Sequence, residues 1–318
     1  MTHFLFRNKR RRTQWLRTAG WRIEAALLYL FWLLVRPLPA DRASAVGRQL
    51  FRWLGPRTTR QQRIKLNLAL AFPDLRCTQL EMLARDIWGN FGSVLAEYPH
   101  LRTLAGSSTP PAIEMEIDPV TRAIIEGRDP AIYISAHLGN WELAAPAIAG
   151  TGVSLSVVYA PQTNPILDRM LQSQRRPLGC RFIGKKNAVR WLLREIRAGR
   201  SVGLLPDQRM DSGEPLPFFG LTAPSPTTPA WLALRTGCPL IPVQVERTGD
   251  ARYRAVFHKP LLMTGTAGDN GNILQVTTAI NHMFEGWIRH RPDQWLCMKR
   301  RWPKVTCEIA IERRLPCA

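Results

Sequence analysis

The sequence predicts an α/β fold: a single domain with a mostly parallel sheet flanked by helices, preceded by an N-terminal helical region that anchors the chain to a membrane. Three observations lead there. From residue 111 onward short β-rich runs alternate with helical stretches; before that, apolar positions recur at helical spacing; and a basic segment followed by an uninterrupted apolar run opens the chain. These divide the 318 residues into a basic N-terminus and anchor (1–40), a helical region (41–110) and an α/β core (111–318).

The anchor reading begins with Arg7, Lys9, Arg10, Arg11, Arg12 and Arg17, which precede the apolar run Ala25 to Val35. Arg22, Glu24 and Arg36 bound that run, so it falls short of the roughly 20 residues an upright span requires. A retained anchor fits best, re-entrant or with snorkelling flanks, and Trp15, Trp21, Tyr29 and Trp32 are available for the headgroup zone. Two other readings stand beside it: a signal peptide cleaved near Ala43-Ser44-Ala45, and an ordinary buried helix.

Within the helical region, Val46, Leu50, Phe51 and Leu54, then Ile64, Leu66, Leu68 and Leu70, follow three- and four-residue spacing. Ser107-Ser108-Thr109-Pro110-Pro111 reads as a linker. The core offers strands at Ala131 to Ser135, Leu155 to Tyr159, Val202 to Leu205, Leu240 to Val245 and Tyr253 to Phe257. Helices are expected at 141–149, 165–177, 188–198, 228–236 and 272–289. Pro215, Pro217, Pro224, Pro226 and Pro229 mark 214–229 as a surface loop.

Composition narrows the partners. Lys and Arg number 44 against 24 Asp and Glu, a net charge of +20, which calls for a polyanion: nucleic acid, an anionic bilayer or a phosphorylated lipid. No helix-turn-helix, RNA-binding aromatic or zinc-finger pattern accompanies the charge, and the basic residues adjoin apolar segments, which favours lipid over nucleic acid. The six cysteines are scattered without a Cys-x-x-Cys pair, so neither a disulfide framework nor a structural zinc site is expected, and the default compartment is reducing.

Ala136-His137-Leu138-Gly139-Asn140-Trp141-Glu142-Leu143 follows a strand directly, where chemistry collects in parallel α/β folds. Asn140 suits an N-cap and Glu142 the first helical turn. Gly139 supplies a bend that folds the His137 ring back toward Glu142. A carboxylate on one imidazole nitrogen fixes the tautomer and frees the other nitrogen to accept a proton. No Gly-x-Ser-x-Gly elbow or strand-end cysteine is present, so the nucleophile is a substrate hydroxyl and an activated donor such as a thioester is needed. Backbone N–H groups or an Arg would steady the oxyanion. The plain alternative is a structural histidine and a surface glutamate. The His-Glu-x-x-His signature is absent, and His258, His282 and His290 are not spaced as a ligand set, so no metal is expected. Arg169, Arg175, Arg176, Arg181, Lys185 and Lys186 follow the second strand, either meeting phosphates or forming a solvated basic face. Asp207 ends the strand Val202 to Leu205 at the same sheet edge as His137, to bind substrate or cap the next segment.

These residues carry a resemblance. The chain resembles the lipid A biosynthesis lauroyl and myristoyl acyltransferases within the lysophospholipid acyltransferase superfamily, whose mark is His, four residues, then Asp or Glu. Beyond that tetrad, Tyr159 to Asp168, Leu205-Pro206-Asp207-Gln208, Phe218-Phe219-Gly220, Asp293-Gln294-Trp295-Leu296 and Arg300-Arg301-Trp302 follow in the family's order. Cys297-Met298-Lys299 departs from a more aromatic, His-containing stretch. The resemblance implies transfer of a fatty acyl group from an acyl carrier protein thioester to a hydroxyl of a Kdo2-lipid A type precursor, without metal or other cofactor, on the cytoplasmic side of the bacterial inner membrane. It implies His137 and Glu142 as the catalytic pair. Gly139, Asn140, Tyr159, Asn164, Asp168, Pro206, Asp207 and Gln208 are implied at the acceptor pocket, with Arg175 and Arg176 added from the charge pattern. A lysophospholipid or phosphatidylinositol mannoside acceptor is the nearest rival, and a non-catalytic basic binding protein the rival of another class.

Overall fold

The computed structural model describes residues 14–106, 111–185, 187–262, 270–304 and 306. The basic residues Arg7 and Lys9 to Arg12, the linker residues Ser107 to Pro110, Lys186, Cys307 and Cys317 lie outside the described residues.

Five helices come first: α1 (Gln14–Val35), α2 (Ala40–Leu54), α3 (Gln61–Ala71), α4 (Cys77–Glu97) and α5 (Leu101–Ala105). Helix α1 continues unbroken through Arg17, Arg22 and Glu24 until Pro37 and Pro39 end it. By length and composition it could cross a bilayer, and this length exceeds what the apolar run alone suggested. Ala25, Trp32 and Val35 are buried against the protein, whereas Leu27, Leu30 and Leu34 on the same helix are exposed. The Trp32 indole N–H donates to the Leu95 carbonyl at 2.9 Å, fixing α1 to α4. Helices α2 and α4 meet backbone to backbone: a Cβ on Gly47 would stand 2.3 Å from the Gly92 carbonyl oxygen.

The remaining elements are β1 (Ile113–Ile117), α6 (Pro119–Gly127), β2 (Ile132–Ile134), α7 (Ala144–Gly150), β3 (Leu155–Tyr159), α8 (Pro165–Arg175), β4 (Arg181–Gly184), α9 (Ala188–Arg197), β5 (Ser201–Leu204), β6 (Glu214–Phe218), β7 (Leu221–Ser225), α10 (Thr228–Thr236), β8 (Leu240–Gly249), β9 (Arg252–Phe257) and α11 (Asn270–His290). A seven-stranded sheet runs β1-β9-β8-β2-β5-β3-β4. From β4 to β8 all pairings are parallel, while β9 folds back antiparallel on β8 and β1 runs parallel to β9. Alternation along β2 sorts its side chains between two apolar layers. Ile132 and Ile134 join a cluster with Leu192 of α9, Leu232 of α10 and Phe284 of α11. Tyr133 joins the opposite cluster with Leu101 of α5, Ile148 of α7 and Trp32 of α1.

Two features depart from the sequence reading. The proline-rich stretch is not a loop: β6 and β7 form an antiparallel ribbon with Pro215 opposite Pro224, and Pro229 lies in the first turn of α10. A two-stranded ribbon has only edge strands, so prolines lacking an N–H can occupy its outward positions. Cys180, Cys238 and Cys297 are free thiols, whereas Cys77 is disulfide-bonded, a bridge that the scattered cysteine spacing did not announce.

Candidate active site

Parallel pairing of β2 and β5 sets Ile134 beside Leu204. His137 and Asp207 lie equally far beyond those paired residues, which brings their side chains together where the strands end. The imidazole Nδ1 is 2.7 Å from Asp207 Oδ1. Because an ionised carboxylate can only accept, the contact selects, for the neutral ring, the tautomer with its proton on Nδ1 and the lone pair on Nε2. Asp207 is 1 % exposed, so solvent does not screen the contact.

This corrects the pairing expected from the sequence. Asp207, not Glu142, holds the His137 ring. Glu142 is enclosed by other donors: Tyr98 OH at 2.6 Å, Arg175 Nη2 at 2.6 Å and Trp141 Nε1 at 3.0 Å reach Oε1, and Arg175 Nε reaches Oε2 at 2.7 Å. Burial alone would push the Glu142 carboxyl up, but the fork of Arg175 and its other hydrogen bonds outweigh it and hold the group below the usual glutamate range. The same pair raises Arg175 against its own desolvation. Glu142 still reaches the imidazole indirectly: it anchors the Trp141 indole, whose ring centre lies 5.6 Å from that of His137.

The loop bearing His137 is clamped from beneath. Gly139 has φ +53°, and a Cβ there would sit 2.8 Å from the Val245 carbonyl oxygen, so only glycine passes over β8. Leu296 N donates to the His137 carbonyl at 2.9 Å and Gly139 N to that of Gln294 at 3.2 Å. Asn140 caps the turn that follows by accepting from Glu142 N at 3.2 Å, and its amide donates to Glu97 Oε2 at 2.7 Å. Glu97 is in turn paired with Arg247, which also donates to Asn90 Oδ1 at 2.9 Å and Ser44 Oγ at 3.1 Å. The Tyr253 hydroxyl donates to Glu97 as well. Burial would raise Glu97, but Arg247 holds it below the ordinary range.

A cavity of about 1450 Å³ opens beside the imidazole. Apolar side chains from three helices form much of its wall, among them Leu27 and Phe31 of α1, Phe51 of α2, and Phe91 and Leu95 of α4. His137, Glu142, Tyr159, Asn164, Arg175, Pro206 and Gln208 all line it, so the structure collects these expected site residues around one space. Others stand elsewhere. Gly139 and Asn140 are built into the loop's support, and Asp168 Oδ1 accepts from Gln162 N at 2.8 Å to shape the turn before α8. Arg176 is exposed, and neither it nor Asp207 borders the cavity directly. Asn164 has a structural duty besides lining the cavity: it caps α8 and donates to the Trp21 carbonyl at 2.9 Å, tying α8 to α1.

The sequence reading missed Glu97, Arg247, Tyr98 and Trp141. Its available signals were a glutamate ending the otherwise apolar stretch before Tyr98 and an arginine inside a strand, both of which need buried partners. Which partner each finds depends on contacts far apart in the chain.

A carboxylate-oriented imidazole at the mouth of a large apolar cavity is suited to deprotonating a hydroxyl that carries or meets an acyl chain. The matching family agrees with that chemistry: a profile described as bacterial lipid A biosynthesis acyltransferase matches residues 9–304. The chain belongs to this family. Among its relatives is a lipid A biosynthesis acyltransferase of Haemophilus influenzae, 21% identical over 291 residues, covering 89% of this chain and 87% of that protein. A lipid A biosynthesis myristoyltransferase of Escherichia coli is 22% identical over 244 residues, 74% of this chain and 72% of its own length. A phosphatidylinositol mannoside acyltransferase of Mycobacterium tuberculosis is 26% identical over 294 residues, 85% and 86% of the two chains. The chain is thus an acyltransferase of the lipid A biosynthesis family.

Proposed function

We propose that this acyltransferase moves a fatty acyl group from an acyl carrier protein thioester to a hydroxyl of a Kdo2-lipid A type precursor. His137 Nε2 takes the hydroxyl proton as the oxygen attacks the thioester carbonyl. The tetrahedral intermediate then expels the thiolate, which recovers the proton from the imidazolium, leaving an ester and the free carrier thiol. Asp207 keeps the ring in the reactive tautomer and steadies its positive charge. Glu142 acts through Trp141 and Arg175, as a positioning carboxylate of the same site.

The observation that carries this reading is the His137–Asp207 contact beside a cavity walled by apolar helices, one of them long enough to lie in or across a bilayer. The net charge of +20 and the exposed leucines of α1 support work at an anionic membrane, on the cytoplasmic side of the inner membrane where carrier thioesters are available. Similarity to phosphatidylinositol mannoside acyltransferases favours that acceptor as the second reading. Purified enzyme given one labelled carrier thioester and, separately, Kdo2-lipid A precursor, phosphatidylinositol mannoside and lysophospholipid should acylate the first. Turnover confined to either of the others would remove the lipid A acceptor.

A further inference from the structure

Glu24 is a buried titratable group that the acyl transfer leaves unused. It is 7 % exposed and sits on α1, the helix long and apolar enough to cross a bilayer. A carboxylate in such a helix is costly, and where it is kept it faces the protein interior or a cavity and marks function. Its Oε2 accepts from the Asn164 side-chain amide at 3.1 Å. Oε1 has no hydrogen-bond partner, and among the described residues no cation pairs with either oxygen. Three residues earlier, the Trp21 indole N–H is likewise buried and without a partner.

Trp21 and Glu24 both line the His137 cavity. Positions three apart share one face of a helix, with Cβ atoms roughly 5–6 Å from each other, so an unused donor and an unused acceptor stand side by side. Their frame is fixed from two directions. Asn164 also donates to the Trp21 carbonyl at 2.9 Å, and the Arg17 guanidinium lies over the Trp21 ring, 5.0 Å from its centre. Asn164 caps α8 just past the end of β3, on the side of the sheet where His137 follows β2. In the order β2-β5-β3 those strands stand two places apart, roughly 10 Å across the sheet, so one substrate headgroup can reach from this pair to the imidazole.

We infer that the Trp21 indole N–H and the Glu24 carboxylate form a notch in the cavity wall that takes a neutral hydroxyl of a substrate and so orients it toward His137. The inference rests on the acyltransferase reading of that cavity. The two atom types choose the ligand. A hydroxyl donates to Oε1 and accepts from the indole through a single oxygen, which satisfies both groups at once. An ammonium would satisfy the carboxylate and leave the indole unpaired, whereas a phosphate would satisfy the indole and be repelled by the carboxylate. Two sources bear such a hydroxyl: the sugar of a glycolipid acceptor, and the pantetheine arm of a carrier thioester.

The test is equilibrium binding to the full chain in nanodiscs of phosphatidylcholine and phosphatidylglycerol, with two probe series. One is an alkyl glucoside and its monodeoxy analogues, each hydroxyl replaced in turn by hydrogen; the other is pantetheine and its deoxy analogue. The wild-type protein should bind one deoxy probe on the order of 10-fold more weakly than its parent, because a buried carboxylate then loses its donor, and the series that responds names the source. The Trp21→Phe/Glu24→Gln double variant, which keeps both side-chain shapes, should bind parent and deoxy probes alike. Its melting temperature should hold or rise, since a buried carboxylate without a cation is costly. If the double variant fails to fold, the single substitutions decide. Equal affinity throughout both series in the wild-type protein, or undiminished discrimination in the folded double variant, would overturn the notch. A Glu24→Gln protein that melts earlier while discriminating as before would reduce Glu24 to a tie between α1 and α8, and would overturn it too. His137→Ala separates this from the underlying reading: it should abolish acyl transfer yet keep the hydroxyl discrimination. Transfer that survives in His137→Ala removes the acyltransferase mechanism and leaves the binding result to stand alone.

Discussion

Replacing Asp207 with Asn tests the contact that most sharply separates this site from the one expected on sequence grounds. The substitution keeps the shape of the side chain and removes its charge. The 2.7 Å bond to Nδ1 is sheltered, with Asp207 1 % exposed, so its charge-assisted strength is retained rather than screened. Losing that component alone costs about 1.5–3 kcal/mol, or roughly 10- to 100-fold in rate. The amide introduces a second effect. Asp207 Oδ2 has no hydrogen-bond partner among the described residues, so nothing fixes which way round the amide sits. If its NH2 turns toward Nδ1, the ring adopts the other tautomer, Nε2 carries the proton, and the loss grows toward about 10⁴-fold. The assay is single-turnover transfer of a labelled acyl group, run beside a melting curve to confirm that the fold survives. An Asp207→Asn enzyme within about 3-fold of wild type would refute the orienting role, because general-base catalysis is generally worth far more than that.

The other expectations concern the scaffold beneath the imidazole. Arg247→Met strands Glu97 without its ion partner in a fully buried position, and should cost about 3–5 kcal/mol by denaturant titration, with the Glu97→Gln/Arg247→Met pair costing less than the sum of the single changes. Gly139→Ala forces φ +53° on a residue with a Cβ facing the Val245 carbonyl, and strain of about 1–3 kcal/mol before the clash should lower both melting temperature and turnover. Acid lability follows from Glu97 and Glu142, whose carboxyls are held below their ordinary range by Arg247 and Arg175 against the cost of burial. Their stabilising contribution is complete above the unfolded value of about 4.3 and is lost as pH falls through the lowered folded values. Melting temperature should therefore hold level from neutral pH down to about 5 and drop below about 4, less steeply in Glu97→Gln.

Much of this architecture was legible in the chain itself. Of the five strands read from β-rich runs, the four in the central parallel sheet are covered on both faces and leave continuous apolar signals, while β9 shows the alternation of a half-exposed strand. The two strands of this sheet that the pattern missed, β1 and β4, are its edges. Ile113–Ile117 is mostly exposed and Arg181–Gly184 is short, so neither presents an apolar run. The ribbon β6–β7 was hidden by its prolines, which report a missing N–H but not which edge it faces. At the site, His137 stood out through its place after a strand, while its partner did not. Spacing along the chain favoured Glu142, five positions away, but parallel register favours Asp207, since β2 and β5 are neighbours and both residues overrun the paired ends equally. Lateral strand order is a property of the folded sheet, and a single sequence carries it only weakly. The same limit hid the Glu97–Arg247 pair, whose members lie on a helix and a strand far apart in the chain.

The central claim is that the His137 imidazole removes the acceptor's proton. Its most direct test is single-turnover acyl transfer by His137→Ala beside wild type, with circular dichroism and melting temperature matched. A folded variant slower by at least about 100-fold is the expected result. A folded variant that transfers the acyl group at close to the wild-type rate would contradict the account and move the chemistry to another group.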